Sequence, residues 1–223
     1  MSTADASLTP GAREQLVAAG RRLTSLGLSP GSSGNISVRS GEMMLMSPTG
    51  TALDALETDA LSVVSLDGRH LDGPPPSKEH PLHSAFYRRD AETGAVVHLH
   101  SLHASAASLL EPFSPRSALA PLTPYFVMRV GQTPLVPYAH PGDSAQAERI
   151  RVLDLRFRAV LLQNHGPVTS GATMEQAVDA AIELEEVSKI ALLTRGAAVT
   201  PLADSVASEL AERYGSYWDA DPR

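Results

Sequence analysis

Residues 95–100, Ala95-Val96-Val97-His98-Leu99-His100, form a short apolar run that ends in two histidines. Its apolar start predicts a strand, in which residues two apart point to the same face. His98 and His100 therefore share one face, while Val97 and Leu99 face the opposite side. Two imidazoles on one face at a strand end form half of a metal site. The same spacing also fits one structural histidine beside a chance neighbour.

Strands and helices alternate around this segment. Alternating apolar residues and turn signals predict further strands at residues 36–39, 43–46, 61–66, 125–130 and 159–163. Helical spacing and capping residues predict helices at residues 10–26, 79–89, 102–110, 144–155, 173–196 and 204–214. This order, with its early hairpin, predicts an α/β fold: a three-layer α/β/α sandwich with a central mixed, partly antiparallel sheet. We expect residues 1–223 to form one domain, with a core at about 10–196 and a helical tail at 197–223.

Composition and charge exclude several classes of function. The 223 residues carry a net charge of −7 without a Lys/Arg cluster, so a nucleic-acid partner is not expected. Because the chain has no cysteine, any metal site must use His, Asp or Glu, and a cytoplasmic location is expected. Residues 1–8 do not resemble a signal peptide, and no apolar run is long enough to predict a membrane span.

Two further side chains are candidates for the same metal site. His165 follows an apolar strand directly, and residues at strand ends of α/β folds commonly line the site. Glu79 follows a proline-rich loop at the start of a predicted helix. Taken alone, His165 also fits a turn residue, and Glu79 fits an acid favoured by the helix dipole.

Three separate turns are rich in small hydrogen-bond donors. They are Ser33-Gly34-Asn35, Thr49-Gly50 and Ser77-Lys78. Their backbone N–H groups, hydroxyls and one ammonium group could together hold a phosphate, although loops commonly contain such residues.

The candidate residues lie in five motifs that follow one another in a fixed order. They are Ser33-Gly34-Asn35-Ile36-Ser37, Ser47-Pro48-Thr49-Gly50, Pro76-Ser77-Lys78-Glu79, His98-Leu99-His100 and Asn164-His165-Gly166. This ordered set resembles the class II aldolase/adducin family from about Leu16 to Leu193. The resemblance implies an α/β/α sandwich that assembles as a homotetramer, with sites between subunits.

The resemblance also implies a role for each candidate residue. His98, His100 and His165 match the family's zinc ligands. Glu79 matches the acidic residue that alternates between metal ligand and general acid/base. The phosphate pocket of the family matches Gly34, Asn35, Thr49, Gly50 and Ser77. Tyr125 lies roughly where the aldolases place a tyrosine from a neighbouring subunit; packing in a proline-rich segment is the alternative.

Lys78 stands where the best-known sugar-phosphate aldolases of the family have a second serine. With residues 120–128, 136–138 and 141–143, the motif at 76–79 looks like the 3-oxo-tetronate 4-phosphate decarboxylase branch. That likeness implies a zinc-dependent lyase that forms dihydroxyacetone phosphate and carbon dioxide through a metal-stabilised enediolate. Lys78 is placed to contact the phosphate or the departing carboxylate, and we favour the phosphate because Ser77 belongs to that pocket.

Other functions fit parts of the same pattern. A sugar-phosphate aldolase, an epimerase or a dehydratase would use the same motifs. A non-catalytic adducin-like interaction domain would retain the fold without an active metal site, and retention of the full ligand set argues against it. A structural zinc site would fill all four positions with protein ligands, whereas departure of Glu79 would open one for substrate. Five other histidines are expected on surfaces or near the site without binding metal: His70, His80, His83, His103 and His140.

Overall fold

The computed structural model describes residues 11–219. Within that range the chain forms eight strands, seven α-helices and one short 3-10 helix, Leu53–Ala55. The strands are β1 (Asn35–Ser40), β2 (Met43–Met46), β3 (Ser62–Ser65), β4 (His70–Asp72), β5 (Ala95–His98), β6 (Leu135–Val136), β7 (Ala159–Leu162) and β8 (Gly166–Gly171). The helices are α1 (Ala12–Ser25), α2 (His80–Arg89), α3 (Leu102–Ala107), α4 (Pro124–Arg129), α5 (Ser144–Arg151), α6 (Met174–Leu193) and α7 (Asp204–Tyr214).

All eight strands belong to one sheet, in the order β4-β3-β2-β1-β5-β8-β7-β6. Neighbouring strands are antiparallel except β6 and β7, which are parallel. Strand β5, which carries His98, lies near the centre between β1 and β8. The predicted α/β/α sandwich with a mixed sheet is therefore confirmed.

Side chains alternate along each strand, so both faces of the sheet carry apolar residues, and helices cover both faces. Val97 packs with α1 and α6 on one face, whereas Val96 packs with α2 and α5 on the other. His98, two residues after Val96, consequently lies on the α2 face. Leu99 joins Val97 in the core on the α1 face, as the sequence predicts.

A third hydrophobic cluster joins α3, α4, α7 and the second half of α6 beside the sheet. Phe126 of α4 meets Trp218 edge to face, with 6.2 Å between the ring centroids. Ala207 and Ala211 of α7 are buried in the same cluster. The predicted tail helix at residues 204–214 thus packs against the body of the protein.

The strand predicted at residues 125–130 is wrong, because Pro124–Arg129 is helical. Thr123 caps this helix by accepting a hydrogen bond from the Phe126 N–H at 3.1 Å, and Pro124 stands in its first turn. This local capping outweighs the strand preference of the aromatic and β-branched residues that follow. Three strands, β4, β6 and β8, were not predicted.

The other predicted elements are present, with shifted ends. Strand β5 ends at His98, so His100 lies in the connection that follows it. The helices predicted at 102–110 and 144–155 end earlier, at Ala107 and Arg151. The predicted helix start at residues 9–10 lies outside the described residues, and the assignment of residues 1–223 to one domain stays a prediction. Among residues 11–219, no helix combines the length and apolar character needed to cross a membrane.

Candidate metal centre

The sheet places His98 and fixes its tautomer. His98 faces Asn35 across β1 and Val168 across β8, and its side chain is fully buried. Its Nδ1–H donates to the carbonyl oxygen of Pro167 at 2.8 Å. Because this bond places the proton on Nδ1, the Nε2 lone pair is available to bind a cation.

His165 lies in the tight turn between β7 and β8. Leu162 pairs with Gly166, so only residues 163–165 form the loop. Asn164 has a φ of 59°, a left-handed conformation that asparagine tolerates better than most residues. This turn brings the imidazole of His165 back over the end of β5.

Three imidazoles and one carboxylate converge at the end of β5. Nε2 of His100 lies 3.2 Å from Nε2 of His98 and 3.0 Å from Nε2 of His165. The Glu79 carboxylate approaches from the start of α2, with Oε2 3.3 Å from Nε2 of His98 and Oε1 3.3 Å from Nε2 of His165. The ligand atoms of the four residues all lie within 4.8 Å of one another.

This donor set fits a divalent metal ion. Three nitrogen lone pairs aimed at one point repel one another unless a cation lies between them. Nitrogen and carboxylate ligands without sulfur form the set that catalytic zinc sites use, and copper, iron and nickel also bind imidazole. A small molecule in solution can reach the cluster, because His100 and His165 are only partly buried.

The electrostatics of the cluster keep the ligands in their metal-binding forms. Burial, reinforced by the neighbouring His98, lowers the pKa of His165 to about 4 and also lowers the pKa of His100. Burial raises the pKa of Glu79, but the adjacent His98 and a hydrogen bond from Asn35 outweigh it, so the net pKa lies well below the usual range. At neutral pH the two imidazoles are therefore neutral and the carboxylate is ionised.

A cavity of about 350 Å³ opens directly onto the cluster. All six residues predicted to bind phosphate line it: Gly34, Asn35, Thr49, Gly50, Ser77 and Lys78. Pro48 and Pro76 form an isolated bridge, and the Thr49 N–H donates to the Pro75 carbonyl at 3.0 Å. These contacts bring the turn at 49–50 beside the turn at 77–78, and so assemble a shared donor-rich wall.

Gly34 is required at its position by two features of the backbone. Its φ is +81°, in the left-handed region that favours glycine. A Cβ atom there would lie 2.8 Å from the carbonyl oxygen of His98. Glycine thus allows the loop before β1 to approach the end of β5, where the first metal ligand lies.

Asn35 contacts Glu79 as well as lining the cavity. Its Nδ2–H donates to Oε2 of Glu79 at 2.9 Å, and its Oδ1 lies 2.6 Å from Nε2 of His83. His83 is fully buried behind the site and lies outside the group of four candidate ligands. Its contact with Asn35 was not predicted, although its position four residues after Glu79 on one helix indicates a shared face.

Glu185 of α6 is a second buried residue that the sequence did not single out. Its carboxylate accepts from the backbone N–H groups of His103 at 2.9 Å and Ala104 at 2.8 Å. Nδ1 of His103 lies 2.7 Å from the same carboxylate. Glu185 therefore satisfies the first turn of α3, which begins two residues after His100.

Tyr125 lies away from the cavity of its own chain. Its side chain is 58% exposed on α4, and Arg129 lies over its ring at 5.4 Å from the centroid. The alternative of a packed tyrosine does not fit this exposure. A catalytic role of Tyr125 in the site of a neighbouring subunit stays a prediction.

Comparisons with known proteins agree with this fold. The model of the Class II Aldolase and Adducin N-terminal domain matches residues 14–192. A 3-oxo-tetronate 4-phosphate decarboxylase of Pectobacterium atrosepticum is 43% identical, over 80% of this chain and 83% of the relative. L-fuculose phosphate aldolase of Escherichia coli K12 is 32% identical, over 87% and 90%. The crystal structure of YgbL from Klebsiella pneumoniae superposes with a TM-score of 0.85 at 39% identity, over 89% and 97%. The chain belongs to the class II aldolase and adducin family.

Proposed function

We propose that the protein is a zinc-dependent lyase that decarboxylates 3-oxo-tetronate 4-phosphate to dihydroxyacetone phosphate and carbon dioxide. One observation carries the proposal: Glu79, His100 and His165 of the metal cluster line a cavity that the donor-rich turns also line. The name of the Pectobacterium atrosepticum relative, at 43% identity, supports this choice of substrate. The metal-dependent chemistry of the family supports the metal.

The reaction places a defined demand on the site. The bond between the carboxylate carbon and the adjacent carbon breaks, and its electron pair moves toward the neighbouring ketone oxygen. A divalent metal ion held by the cluster supplies a Lewis acid that stabilises the resulting negative charge. A proton must then be added to the carbon that lost the carboxylate, which completes dihydroxyacetone phosphate.

Glu79 is the residue proposed to move that proton. It borders the cavity, as a general acid/base must if it is to reach the substrate. Because its pKa lies below the usual range, the carboxylate is ionised at rest. It therefore first accepts a proton from solvent water and then delivers that proton to the carbon that lost the carboxylate.

The phosphate is proposed to bind beside the cluster, at the wall formed by residues 34–35, 49–50 and 77–78. Backbone N–H groups and the hydroxyls of Thr49 and Ser77 supply donors there, and Lys78 supplies a positive charge. We assign Lys78 to the phosphate rather than to the departing carboxylate, because it follows Ser77 directly. An overall acidic protein needs such a local cation to hold a dianion.

A homotetramer with Tyr125 reaching a neighbouring site completes the proposal. The exposure of Tyr125 supports a role outside its own chain. We also propose a cytoplasmic location, with which the absence of cysteine is consistent.

A sugar-phosphate aldolase is the second candidate, favoured by the 32% identity to L-fuculose phosphate aldolase. An aldolase develops the same negative charge by releasing an aldehyde instead of carbon dioxide. An epimerase or dehydratase would use related chemistry, whereas a non-catalytic interaction domain would not need the retained cluster.

Product analysis tests the proposal. The purified protein is incubated with 3-oxo-tetronate 4-phosphate, with and without a chelator, and carbon dioxide is measured in parallel with aldehyde release from a panel of ketose 1-phosphates. We expect carbon dioxide release that the chelator abolishes and that added zinc restores. Aldehyde release without decarboxylation would support the aldolase. If neither carbon dioxide nor aldehyde is released, both candidate functions are refuted.

A further inference from the structure

A line of buried hydrogen bonds runs from α2 to Glu79. The Tyr87 hydroxyl lies 2.7 Å from the Ser37 hydroxyl, which lies 2.7 Å from Nδ1 of His83. Nε2 of His83 lies 2.6 Å from Oδ1 of Asn35, whose Nδ2 lies 2.9 Å from Oε2 of Glu79. The four side chains behind Glu79 are at most 4% exposed. They form one hydrogen-bonded chain, which we call the Tyr87–Asn35 chain.

Secondary structure explains why these residues meet. Glu79, His83 and Tyr87 recur every four residues at the start of and along α2, and therefore share one face of the helix. Asn35 and Ser37 alternate along β1 and therefore point to the same side of the sheet. The two faces pack together, so that side chains from α2 and from β1 alternate along the Tyr87–Asn35 chain.

The direction of each hydrogen bond follows from the ionised carboxylate at its end. A carboxylate only accepts, so Asn35 presents its NH₂ group to Glu79 and its carbonyl oxygen to His83. A carbonyl also only accepts, so Nε2 of His83 carries the proton and Nδ1 accepts from the Ser37 hydroxyl. Ser37 in turn accepts from Tyr87. Every donor thus points toward Glu79, and such aligned bonds polarise one another.

His83 is neutral, as the hydrogen-bond directions of the Tyr87–Asn35 chain require. Complete burial, with the neighbouring His98, lowers the pKa of His83 to about 3. A neutral imidazole offers one donor and one acceptor, which match Asn35 and Ser37 respectively.

The two oxygens of Glu79 have different surroundings. Oε2 accepts from Asn35, whereas Oε1 is buried without a hydrogen-bond donor and lies 3.3 Å from Nε2 of His165. The Glu79 carboxylate is therefore held by Asn35 through Oε2, whereas no hydrogen-bond donor restrains Oε1.

We propose that His83 is a positioning residue that, through Asn35, fixes Oε2 and so orients the Glu79 carboxylate for metal binding and proton transfer. The proton-transfer part rests on the proposed function. The orientation itself is a property of the folded chain and also acts on metal binding, since Glu79 belongs to the ligand cluster.

Replacing His83 tests this role, with kcat, KM and zinc affinity measured separately. His83→Leu leaves Oδ1 of Asn35 buried without a donor, so the amide no longer has one preferred orientation. We expect kcat and the affinity of metal-free protein for zinc each to fall about 10- to 100-fold, the range for residues that orient metal ligands. KM should change little, because His83 does not line the cavity.

Two further variants make the result specific. His83→Gln retains an N–H donor and should recover part of both losses. Ser84→Ala is the matched control, because Ser84 is the next buried polar residue of α2 and its hydroxyl has no hydrogen-bond partner. We expect Ser84→Ala to behave like the wild-type protein. Wild-type kcat and zinc affinity in His83→Leu would overturn the proposal.

Nitrogen NMR of the imidazole rings tests the proposal even if His83→Leu does not fold. The signals of His83 are assigned by their loss in His83→Gln. We expect an Nε2-protonated neutral ring in the metal-free wild-type protein, and an Nδ1-protonated ring or an imidazolium would overturn the proposal. If the wild-type protein releases no carbon dioxide, the proposed function fails, while the zinc titration and the ring tautomer still decide the role of His83.

Discussion

Replacing Glu185 by alanine is expected to destabilise the protein by about 2–4 kcal/mol. The side chain is 6% exposed and its carboxylate accepts two backbone N–H groups, from His103 and Ala104, at the start of α3. Each buried donor left without a partner costs about 1–3 kcal/mol, and partial hydration of the new space reduces the sum. Glu185→Gln keeps one acceptor oxygen, so we expect about half of that loss.

The effect of Glu185 should also depend on pH. Burial raises the pKa of Glu185, but the hydrogen bonds from the backbone N–H groups of His103 and Ala104 outweigh it, so the folded pKa lies below the ordinary value of 4.5. A lowered folded pKa means that the carboxylate stabilises fully above pH 4.5, and that this contribution is lost as pH falls through the folded pKa. The difference between wild type and Glu185→Gln should therefore shrink below about pH 4.5.

Urea unfolding at pH 7, followed by circular dichroism, measures these differences. Glu186→Ala is the matched control, because Glu186 is the exposed neighbour on the same helix and should change stability by at most about 0.5 kcal/mol. If Glu185→Ala and Glu186→Ala unfold at the same urea concentration, the capping role of Glu185 is refuted. A difference that grows as the solution is acidified would contradict the pKa argument.

Four other substitutions test individual parts of the site. Glu79→Gln should lower kcat about 10²- to 10⁴-fold, the usual contribution of a general acid/base, and the idea fails if turnover is retained. Lys78→Ser should raise KM roughly tenfold, as expected for loss of a charged contact; unchanged inhibition by inorganic phosphate would show that Lys78 does not bind phosphate. Gly34→Ala should lower the free energy of unfolding by about 1–3 kcal/mol in thermal or urea unfolding, because of its positive φ and the contact with His98; wild-type stability would contradict this. Tyr125→Phe should lower kcat while leaving zinc content unchanged, and full activity would exclude Tyr125 as an acid.

Much of the site could be predicted from the spacing and order of its motifs. Residues two apart in a strand share a face, so His98 and His100 were correctly expected to lie together, even though His100 lies beyond the strand end. Glu79 and His165 were ambiguous individually, because a helix-start acid and a turn histidine are common features. Their place in the ordered set of motifs, rather than any local pattern, led to their inclusion.

What sequence reasoning missed depends on contacts between distant segments. His83 meets Asn35 across 48 positions, and Glu185 meets Ala104 across 81. Helical spacing indicates which face His83 occupies, but it does not indicate which strand lies opposite. The error at 125–130 is different, because the Thr123-Pro124 capping signal is local and was available in the sequence.

The central claim is that His98, His100 and His165 bind one metal ion together with Glu79. X-ray absorption at the zinc edge, on zinc-loaded protein with one equivalent of metal, measures this most directly. We expect three imidazole nitrogens at about 2.0–2.1 Å and oxygen completing the shell, and loss of one imidazole in His165→Ala. Failure to retain zinc, or an unchanged spectrum in that variant, would contradict the account.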